Sequence, residues 1–394
     1  MTNYKGLILG KQDPVQVDNS HWKFGTYIDG IKVIDPQLHY SAFMLGYMDE
    51  HGIIDTVCER MKQYKPEVGD NLFEPMPPAL NSPHIEFADR LYNMSGGYRT
   101  TFALSGSDAV ESAIKLAFAH QQRNGNAHRK KIVSFTDGYH GATLLSQSVG
   151  SASLDIGFYG MPAYSEVIKV SPDMSETVDW DQVSCMVIET CPHIERMGLY
   201  ADHVYEKIQR IQQEHDVIVI VDDIYMGGGR TGSFFGFKDV PVTPDIFVQA
   251  KSITGGFFPL STAMFNEKIH NTMQGSAWIH GYTYSFSLSG VCSALAYMDV
   301  LEQHKYMERV PELVDRMTHF FKSNNINIIG QHGTFFWGED NLRFVVPLNA
   351  DDEYFDALPD TVKALKDRNN YLGWQNTLDL AKPISNTNKG GKTQ

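Results

Sequence analysis

Short apolar runs alternate with longer amphipathic segments through the middle of the chain. Four runs are almost continuously apolar, as is typical of strands covered on both faces of a parallel sheet: residues 131–135, 183–188, 217–221 and 246–248. Helical periodicity is clear at 108–120, which would carry on one face Ala109, Val110, Ala113, Ile114, Ala117 and Phe118. The alternation predicts an α/β fold with a mostly parallel sheet and right-handed crossovers.

The two ends of the chain follow other patterns. Residues 22–35 alternate and turn at Asp29-Gly30, which predicts a β-hairpin. After about residue 305, a helix at 309–323 and strands near 326–329 and 342–346 predict a second, smaller α+β domain. The expected division is an N-terminal arm that completes the small domain (1–75), a large domain (76–304), a small C-terminal domain (305–384) and a polar, disordered tail (385–394).

Composition narrows the class of protein. The chain has 394 residues and a net charge of −14, which argues against nucleic acid as a partner because phosphate binding requires a basic surface. None of its four cysteines forms a CxxC pair, and no apolar stretch reaches the length of a membrane span. A metal site at Cys185, Cys191 and His193 would lack a fourth ligand at zinc spacing, so no metal is expected. We expect a reduced, soluble, cytoplasmic protein that contacts neither nucleic acid nor membrane.

Charged residues at the ends of two apolar runs are the first candidates for chemistry. Asp222 follows the run 217–221, and Lys251 lies just past the run 246–248. Ligands of α/β folds bind at the carboxyl ends of the strands. There, a lysine with a lowered pKa attacks carbonyl groups, and a buried carboxylate can keep a heterocyclic nitrogen protonated. Each residue alone also has a common structural explanation: an Asp at a strand end often caps the following turn, and a Lys after a strand often faces solvent.

The combination is more specific than its parts. The segments IVDDIYMGGGRTG and PDIFVQAKSITGGFFPLS resemble the signature of the class III aminotransferases, the ornithine, GABA and diaminopelargonate type. The resemblance implies fold type I, with a large domain built on a mostly parallel, seven-stranded type of sheet and a small C-terminal domain. It also implies pyridoxal 5′-phosphate as cofactor, bound as a Schiff base to Lys251 with Asp222 at the pyridine nitrogen, and a homodimer with shared active sites.

Further motifs extend the resemblance to the cofactor phosphate and ring. SGSDAVESAIKLA is similar to the family's phosphate-binding turn, which implies that Ser105, Gly106 and Ser107 hold the phosphate at a helix N-terminus. A plain serine N-cap is the alternative for this turn. DGYHGAT implies that Tyr139 stacks on the ring, while His140 is expected to be structural.

Three more positions follow from the same resemblance. HGYTY is similar to a run whose threonine reaches the phosphate of the neighbouring subunit, which makes Thr283 a ligand across a dimer interface. NLRFVVPL implies that Arg343 binds a substrate carboxylate, for which the guanidinium fork is suited. Glu189 matches a carboxylate at a strand end. The Gly-rich segment 227–232 lacks nucleotide-loop spacing, so we interpret it as a tight turn.

Two departures from the family pattern concern the substrate side. The family's EPxQGExG is replaced by residues 189–198, where the Gln is missing, His193 or Cys191 could stand near its position, and Glu195 is shifted by one residue. About forty residues separate the helix that ends near Glu302 from Arg343, so the small domain is trimmed.

The hypothesis is an aminotransferase that moves an amino group from an amine or amino acid to an oxo acceptor. Aminomutase, decarboxylase or lyase chemistry on the same cofactor is the nearest alternative, since Lys251 and Asp222 serve all of these reactions. A non-catalytic relative that kept the fold is a further alternative. A nicotinamide-dependent dehydrogenase is excluded because the chain lacks the dinucleotide-binding fingerprint.

Overall fold

The structure is a computed structural model, and it describes residues 21–28, 30–63, 82–150, 163–192, 198–275, 280–331, 334–337 and 342–367. Some of the predicted features lie outside these ranges. They are Asp29 at the expected hairpin turn, His193 and Glu195 of the altered motif, and the tail 385–394.

A seven-stranded sheet forms the centre of the described chain, with the strand order β4-β10-β9-β8-β7-β5-β6. Its strands are β4 (Arg99–Ala103), β5 (Lys131–Phe135), β6 (Val167–Val170), β7 (Val183–Glu189), β8 (Ile218–Asp222), β9 (Ile246–Gln249) and β10 (Ser261–Phe265). The strands from β9 to β6 pair in parallel, whereas β10 is antiparallel to both of its neighbours. The prediction of a mostly parallel sheet is therefore confirmed.

Helices cover this sheet, and their apolar sides explain why β7 and β8 are buried along their whole length. The helices of this part are α2 (Ile53–Gln63), α3 (Ser82–Ser95), α4 (Gly106–Arg123), α5 (Leu144–Val149), α6 (Asp202–His215), α7 (Glu267–Met273) and α8 (Leu288–Gln303). Helix α4 buries Ala109, Val110, Ala113, Ile114 and Ala117 against the sheet, as its periodicity predicted. Its packing brings the α4 N-terminus to the carboxyl edge of the sheet.

A second core joins the two ends of the chain. The antiparallel strands β1 (His21–Trp22), β2 (Gly25–Ile28) and β3 (Ile31–Ile34) form one small sheet. Another small sheet contains β11 (Ile328–Gln331), β12 (Thr334–Trp337) and β13 (Leu342–Val345), and it is accompanied by α9 (Val310–Ser323), α10 (Asp352–Asp356) and α11 (Leu358–Asp367). Trp22 and Phe24 pack in one cluster with Phe321 and Phe344, so the N-terminal strands share a core with the C-terminal elements. The domain boundaries near 75 and 304 stay a prediction.

The remaining short element, α1 (Leu38–Ser41), is a single left-handed turn with φ between 43° and 72° at four successive non-glycine residues. Within the described ranges, no helix is both long enough and apolar enough to cross a bilayer.

Candidate active site

A cavity of about 410 Å³ opens at the carboxyl edge of the central sheet. Its walls include most of the predicted site residues, namely Ser105, Gly106, Ser107, Tyr139, Glu189, Asp222 and Lys251. They come from the ends of β7 and β8, the turn after β9, the α4 N-terminus and the loop after β5. Parallel strands end at one edge of a sheet, which is why residues distant in the sequence meet here. Thr283 and Arg343 do not border this cavity.

Asp222 ends β8 with its carboxylate almost fully buried. Its Oδ2 lies 2.9 Å from Nδ1 of His140, and its Oδ1 accepts a hydrogen bond of 3.1 Å from the backbone N–H of Ile224. Nε2 of His140 is buried and has no hydrogen-bond partner among the described residues. His140 was expected to be structural. In the structure it fixes the orientation of the Asp222 carboxylate.

The neighbouring Asp223 points away from the cavity into the turn that follows β8. Its carboxylate accepts hydrogen bonds from the Thr190 hydroxyl at 2.7 Å, the Gly236 backbone N–H at 3.0 Å and the Gln249 side chain at 2.9 Å. Burial raises the pKa of Asp223 to about 7, against the effect of these donors. The two adjacent carboxylates therefore have different surroundings: one borders the cavity and the other holds the turn.

Lys251 lies two residues past the end of β9 and takes a left-handed backbone conformation, with φ of 50°. Burial lowers the pKa of its amine to about 8, the negative charge of Asp222 opposes this change, and the charge of Arg230 adds to it. Glu189 and Arg343 contribute smaller effects of opposite sign. The sequence led us to expect a lysine with a lowered pKa at this strand end, and Arg230 is the cationic neighbour that adds to the effect of burial.

Glu189 ends β7 beside Asp222, its register partner on β8. Burial, and then the charge of Asp222, raise the pKa of Glu189 well above its ordinary value. One Glu189 oxygen accepts the backbone N–H of Tyr139 at 2.9 Å, which holds the loop after β5 against the strand end. Tyr139 is half-buried on the cavity wall, and burial raises its pKa. A neutral hydroxyl and a flat ring are therefore what Tyr139 offers to a ligand.

The turn before α4 combines a helix cap with free backbone donors. Ser105 forms a capping box with Asp108, to which its hydroxyl donates at 2.7 Å, so this side chain is occupied by the cap. A Cβ at Gly106 would lie 2.9 Å from the Cδ1 methyl of Ile224, so a larger residue there would require the Ile224 side chain to shift. The Ser107 hydroxyl accepts the backbone N–H of Ala142 at 3.0 Å and keeps its own proton for a ligand. An 18-residue helix that begins at this turn favours an anion here.

Thr283 is exposed on the outer side of the same turn. The adjacent Tyr282 accepts the backbone N–H of Leu104 at 2.7 Å and donates to Asp108 at 3.0 Å. Through these bonds, the segment that carries Thr283 is attached to the turn before α4. Its side chain faces the surface of this chain.

Arg343 lies on β13, half-buried, opposite Phe336 of β12 in the strand register. Its charge lowers the pKa of Lys251, although this effect is smaller than those of Asp222, Arg230 and Glu189. A second arginine, Arg230, is almost completely buried and donates to the carbonyls of Tyr225 at 2.9 Å and Ser41 at 3.1 Å. The segment 227–232 is a turn, as predicted, but the prediction gave no role to Arg230. A lone arginine in a Gly-rich run carries no sequence signal for a buried cation.

His39 and Tyr225 also border the cavity, and sequence reasoning missed both. His39 lies in the left-handed turn α1, whose backbone is held by the Asp35 carboxylate through the N–H groups of Gln37 and His39. Each non-glycine residue in this conformation costs about 1–2 kcal/mol, so the surrounding contacts must fix the turn. No propensity rule predicts four such residues in a row.

The arrangement suits an aldehyde cofactor that carries a phosphate and a ring nitrogen. It provides an amine of lowered pKa, a carboxylate braced by a histidine, a flat aromatic side chain and a helix N-terminus on one cavity. A larger cavity of about 740 Å³ lies outside α4, is lined mainly by apolar side chains such as Ile114 and Phe118, and includes none of the predicted site residues. The residues that suit such a cofactor therefore line the smaller cavity.

Comparison with known proteins agrees with this geometry. The family model described as Aminotransferase class-III matches residues 11–336. An uncharacterized aminotransferase of Archaeoglobus fulgidus is 27% identical over 286 residues, which cover 72% of this chain and 64% of that protein. An adenosylmethionine-8-amino-7-oxononanoate aminotransferase of Nitratidesulfovibrio vulgaris is 29% identical over 269 residues, covering 60% and 49%. The chain thus spans about half to two thirds of the length of these curated relatives.

Solved structures share the fold. A transaminase from the marine bacterium Virgibacillus superposes with a TM-score of 0.74 at 17% identity, over 86% of this chain and 90% of that one. The adenosylmethionine-8-amino-7-oxononanoate aminotransferase of Methanocaldococcus jannaschii gives a TM-score of 0.74 at 21% identity, over 90% and 94%. These likenesses confirm the expected α/β architecture of fold type I.

Proposed function

Because the chain belongs to the class-III aminotransferase family, we propose that it transfers an amino group from an amine or amino-acid donor to an oxo acceptor. The cofactor of this family is pyridoxal 5′-phosphate. The observation that carries the proposal is that one cavity brings together Lys251, with its lowered pKa, and the braced carboxylate of Asp222.

Each part of the cavity would hold one part of the cofactor. Lys251 would bind the aldehyde carbon through Nζ, and Asp222 would face the ring nitrogen. The turn at Ser105, Gly106 and Ser107 would take the phosphate, chiefly through backbone N–H groups and the Ser107 hydroxyl. Tyr139 would stack on the ring. When bound, the protonated ring withdraws electrons from the carbon of an attached amine and so acidifies its C–H bond.

Two tasks then fall to the residues of this chain. Lys251, when its amine is not covalently engaged, would accept the proton of the donor carbon at Nζ and would hold that proton for its return to the bound cofactor. A pKa of about 8 suits this task, because the neutral and charged forms of the amine are both accessible near neutral pH. Asp222 keeps the ring nitrogen protonated, and His140 keeps Asp222 in place.

Recognition of a substrate carboxylate is the role we propose for Arg343. The charge of its guanidinium lowers the pKa of Lys251, and its fork matches a planar carboxylate. Burial and the charge of Asp222 raise the pKa of Glu189, which favours its neutral form; in that form it would donate a hydrogen bond to the cofactor or substrate.

A panel of amines and oxo acids tests the reaction type. The protein is loaded with pyridoxal 5′-phosphate and mixed with single amines, and the conversion of the cofactor to its amino form is followed by absorbance. Aminotransfer predicts conversion by some amines and its reversal by an oxo acid. If no amine produces the amino form while carbon dioxide or an eliminated group is released, decarboxylase or lyase chemistry takes its place. If substrate is rearranged without net transfer, the protein is an aminomutase.

A homodimer with shared sites, in the cytoplasm, completes the proposal. It is supported by the exposed Thr283 attached to the phosphate turn, and by four cysteines without a disulfide among them. Mixing Lys251→Ala and Thr283→Ala proteins tests it. A hybrid dimer would contain one site with both native residues, so activity should return on mixing. If Thr283 serves its own chain, each site in the hybrid lacks one residue and mixing restores nothing.

A further inference from the structure

Tyr225 lies beside the two cations of the candidate active site. Nζ of Lys251 is 5.1 Å from the centroid of the Tyr225 ring, and the guanidinium carbon of Arg230 is also 5.1 Å from it. The ring is only 5% exposed and borders the cavity. Both distances are within the range of cation–π attraction, which is strongest where water is excluded.

The backbone around Tyr225 is fixed from several sides. The carbonyl of Tyr225 accepts a hydrogen bond of 2.9 Å from Nε of Arg230. Two residues further on, the backbone N–H of Gly227 donates to the carbonyl of Asp223 at 2.9 Å. The preceding N–H, that of Ile224, donates to the Asp222 carboxylate. The backbone that carries the ring therefore belongs to the same turn that contacts the Asp222 carboxylate at the end of β8.

The charges that face the Lys251 amine come from four elements. Asp222 on β8 and Glu189 on β7 favour the charged amine, whereas Arg230 in the turn and Arg343 on β13 disfavour it. The ring of Tyr225 also attracts the ammonium form of Lys251. This attraction is directional, because it acts only over the face of the ring. The four charges change the pKa of the amine, but none of them acts over a single face as the ring does.

We propose that Tyr225 is a positioning residue, whose ring face holds the protonated amine of Lys251 at the cavity wall beside Asp222 when that amine is not covalently engaged. The inference rests on the proposed function, in which Lys251 captures the cofactor and later moves a proton. Because the Lys251 amine is held, capture of the cofactor begins from one position of that amine. Without the ring, the long and flexible lysine side chain would sample the whole cavity.

Cofactor capture, followed by absorbance and mapped by borohydride reduction and mass spectrometry, measures this role without any turnover. The full chain is freed of cofactor and mixed with pyridoxal 5′-phosphate between pH 6 and 10. The variants are Tyr225→Phe, which keeps the ring, and Tyr225→Leu, which replaces it with an aliphatic group. We expect the Phe variant to stay within about twofold of the native rate. In the Leu variant, the pH midpoint should fall by about 0.5–1 pH unit, because the ammonium loses its ring. Capture below the midpoint should therefore become about 3- to 10-fold faster, whereas capture at high pH, where the amine is neutral in both proteins, should stay within about twofold.

Each other result is decisive. A Leu variant with the native midpoint and rate overturns the proposal, and so does a Phe variant that changes as much as Leu. A merely structural role would reduce the amount of competent protein but leave the midpoint where it is. If the Leu variant does not fold, Tyr225→Met carries the same expectation. If the native protein itself captures no cofactor at Lys251, the proposed function fails, whatever Tyr225 does.

Discussion

Two part-buried lysines, Lys251 and Lys169, have pKa values lowered to about 8, and in both burial is the main cause. Lys169 lies on β6, where its amine donates to the Gly150 carbonyl at 2.9 Å, the Ser134 hydroxyl at 3.1 Å and, at short range, the Val149 carbonyl. Lys251 instead borders a cavity with two carboxylates and an aromatic ring. A lowered pKa is thus shared by both sites, and only one of them offers its amine to a ligand.

The difference lies in how the donors of each amine are used. Lys169 donates its three N–H groups to neutral oxygens, two at the C-terminal end of α5 and one on β5, and these bonds stabilise the fold. Among the described residues, none accepts a hydrogen bond from Nζ of Lys251, so its amine keeps its donors and lone pair for chemistry. Chemical function therefore follows from the open cavity and its carboxylates, and pKa alone does not identify it.

Removal of Lys251 should have the largest effect. We expect Lys251→Ala to abolish covalent cofactor capture and to lower aminotransfer by at least about 10⁴-fold, because the amine provides both the attachment and the proton transfer. Absorbance and borohydride trapping measure the first, and a coupled assay the second. Lys169→Met is the matched control, and it should keep trapping at Lys251. Trapping that persists at another lysine in Lys251→Ala would contradict the assignment.

Asp222 is next in expected effect. Asp222→Asn keeps the shape of the side chain but removes its charge, so the ring nitrogen would no longer be held protonated. We expect a loss of about 10²–10³-fold in turnover with cofactor still bound through Lys251 and the phosphate turn. Steady-state kinetics with cofactor content measured in parallel gives the result. A variant with native turnover would remove the carboxylate from the mechanism.

The pH dependence of capture follows from the pKa of Lys251. A pKa lowered from 10.5 to about 8 means that the neutral, nucleophilic form gains with rising pH up to about 8 and changes little above it. Capture should therefore rise about tenfold per pH unit below 8, and at pH 7 the neutral fraction exceeds that of an ordinary lysine by roughly 300-fold. Stopped-flow absorbance measures the profile. A midpoint near 10.5 would show that the amine is not perturbed.

The smallest effect belongs to Lys169. Lys169→Met leaves the Gly150 carbonyl without the donor it has in the native chain, so the free energy of unfolding should fall by about 1–3 kcal/mol. Denaturant unfolding of the full chain measures this change. Stability should also rise with pH between about 8 and 10.5 in the native chain, since over this window the unfolded state binds more protons at Lys169 and Lys251. If Lys169→Met instead blocked cofactor capture without loss of stability, the comparison of the two lysines would be wrong.

Much of the central sheet could be predicted from sequence, because its strands are continuously apolar. The run 131–135 was predicted to the residue, and β7, β8 and β9 within one residue at each end. Strands β6, β10 and β12 were missed, and β10 begins with Ser261 and Thr262, polar residues that are buried. Short polar runs carry no period that sets them apart from loops.

Prediction of the site depended on where strands end. Asp222, Glu189 and Lys251 follow apolar runs, so the rule that parallel strands end at one edge was sufficient to bring them together. Arg230, His39 and Tyr225 could not be found in this way. Their positions depend on a Gly-rich turn, a left-handed turn and packing between distant segments, none of which leaves a periodic signal in the sequence.

A crystal structure of the protein with pyridoxal 5′-phosphate tests the central claim most directly. We expect continuous density from Nζ of Lys251 to the aldehyde carbon, a carboxylate oxygen of Asp222 within hydrogen-bond distance of the ring nitrogen, and the phosphate at the α4 N-terminus. A cofactor joined to a different lysine, or a ring nitrogen that faces away from Asp222, would contradict the account.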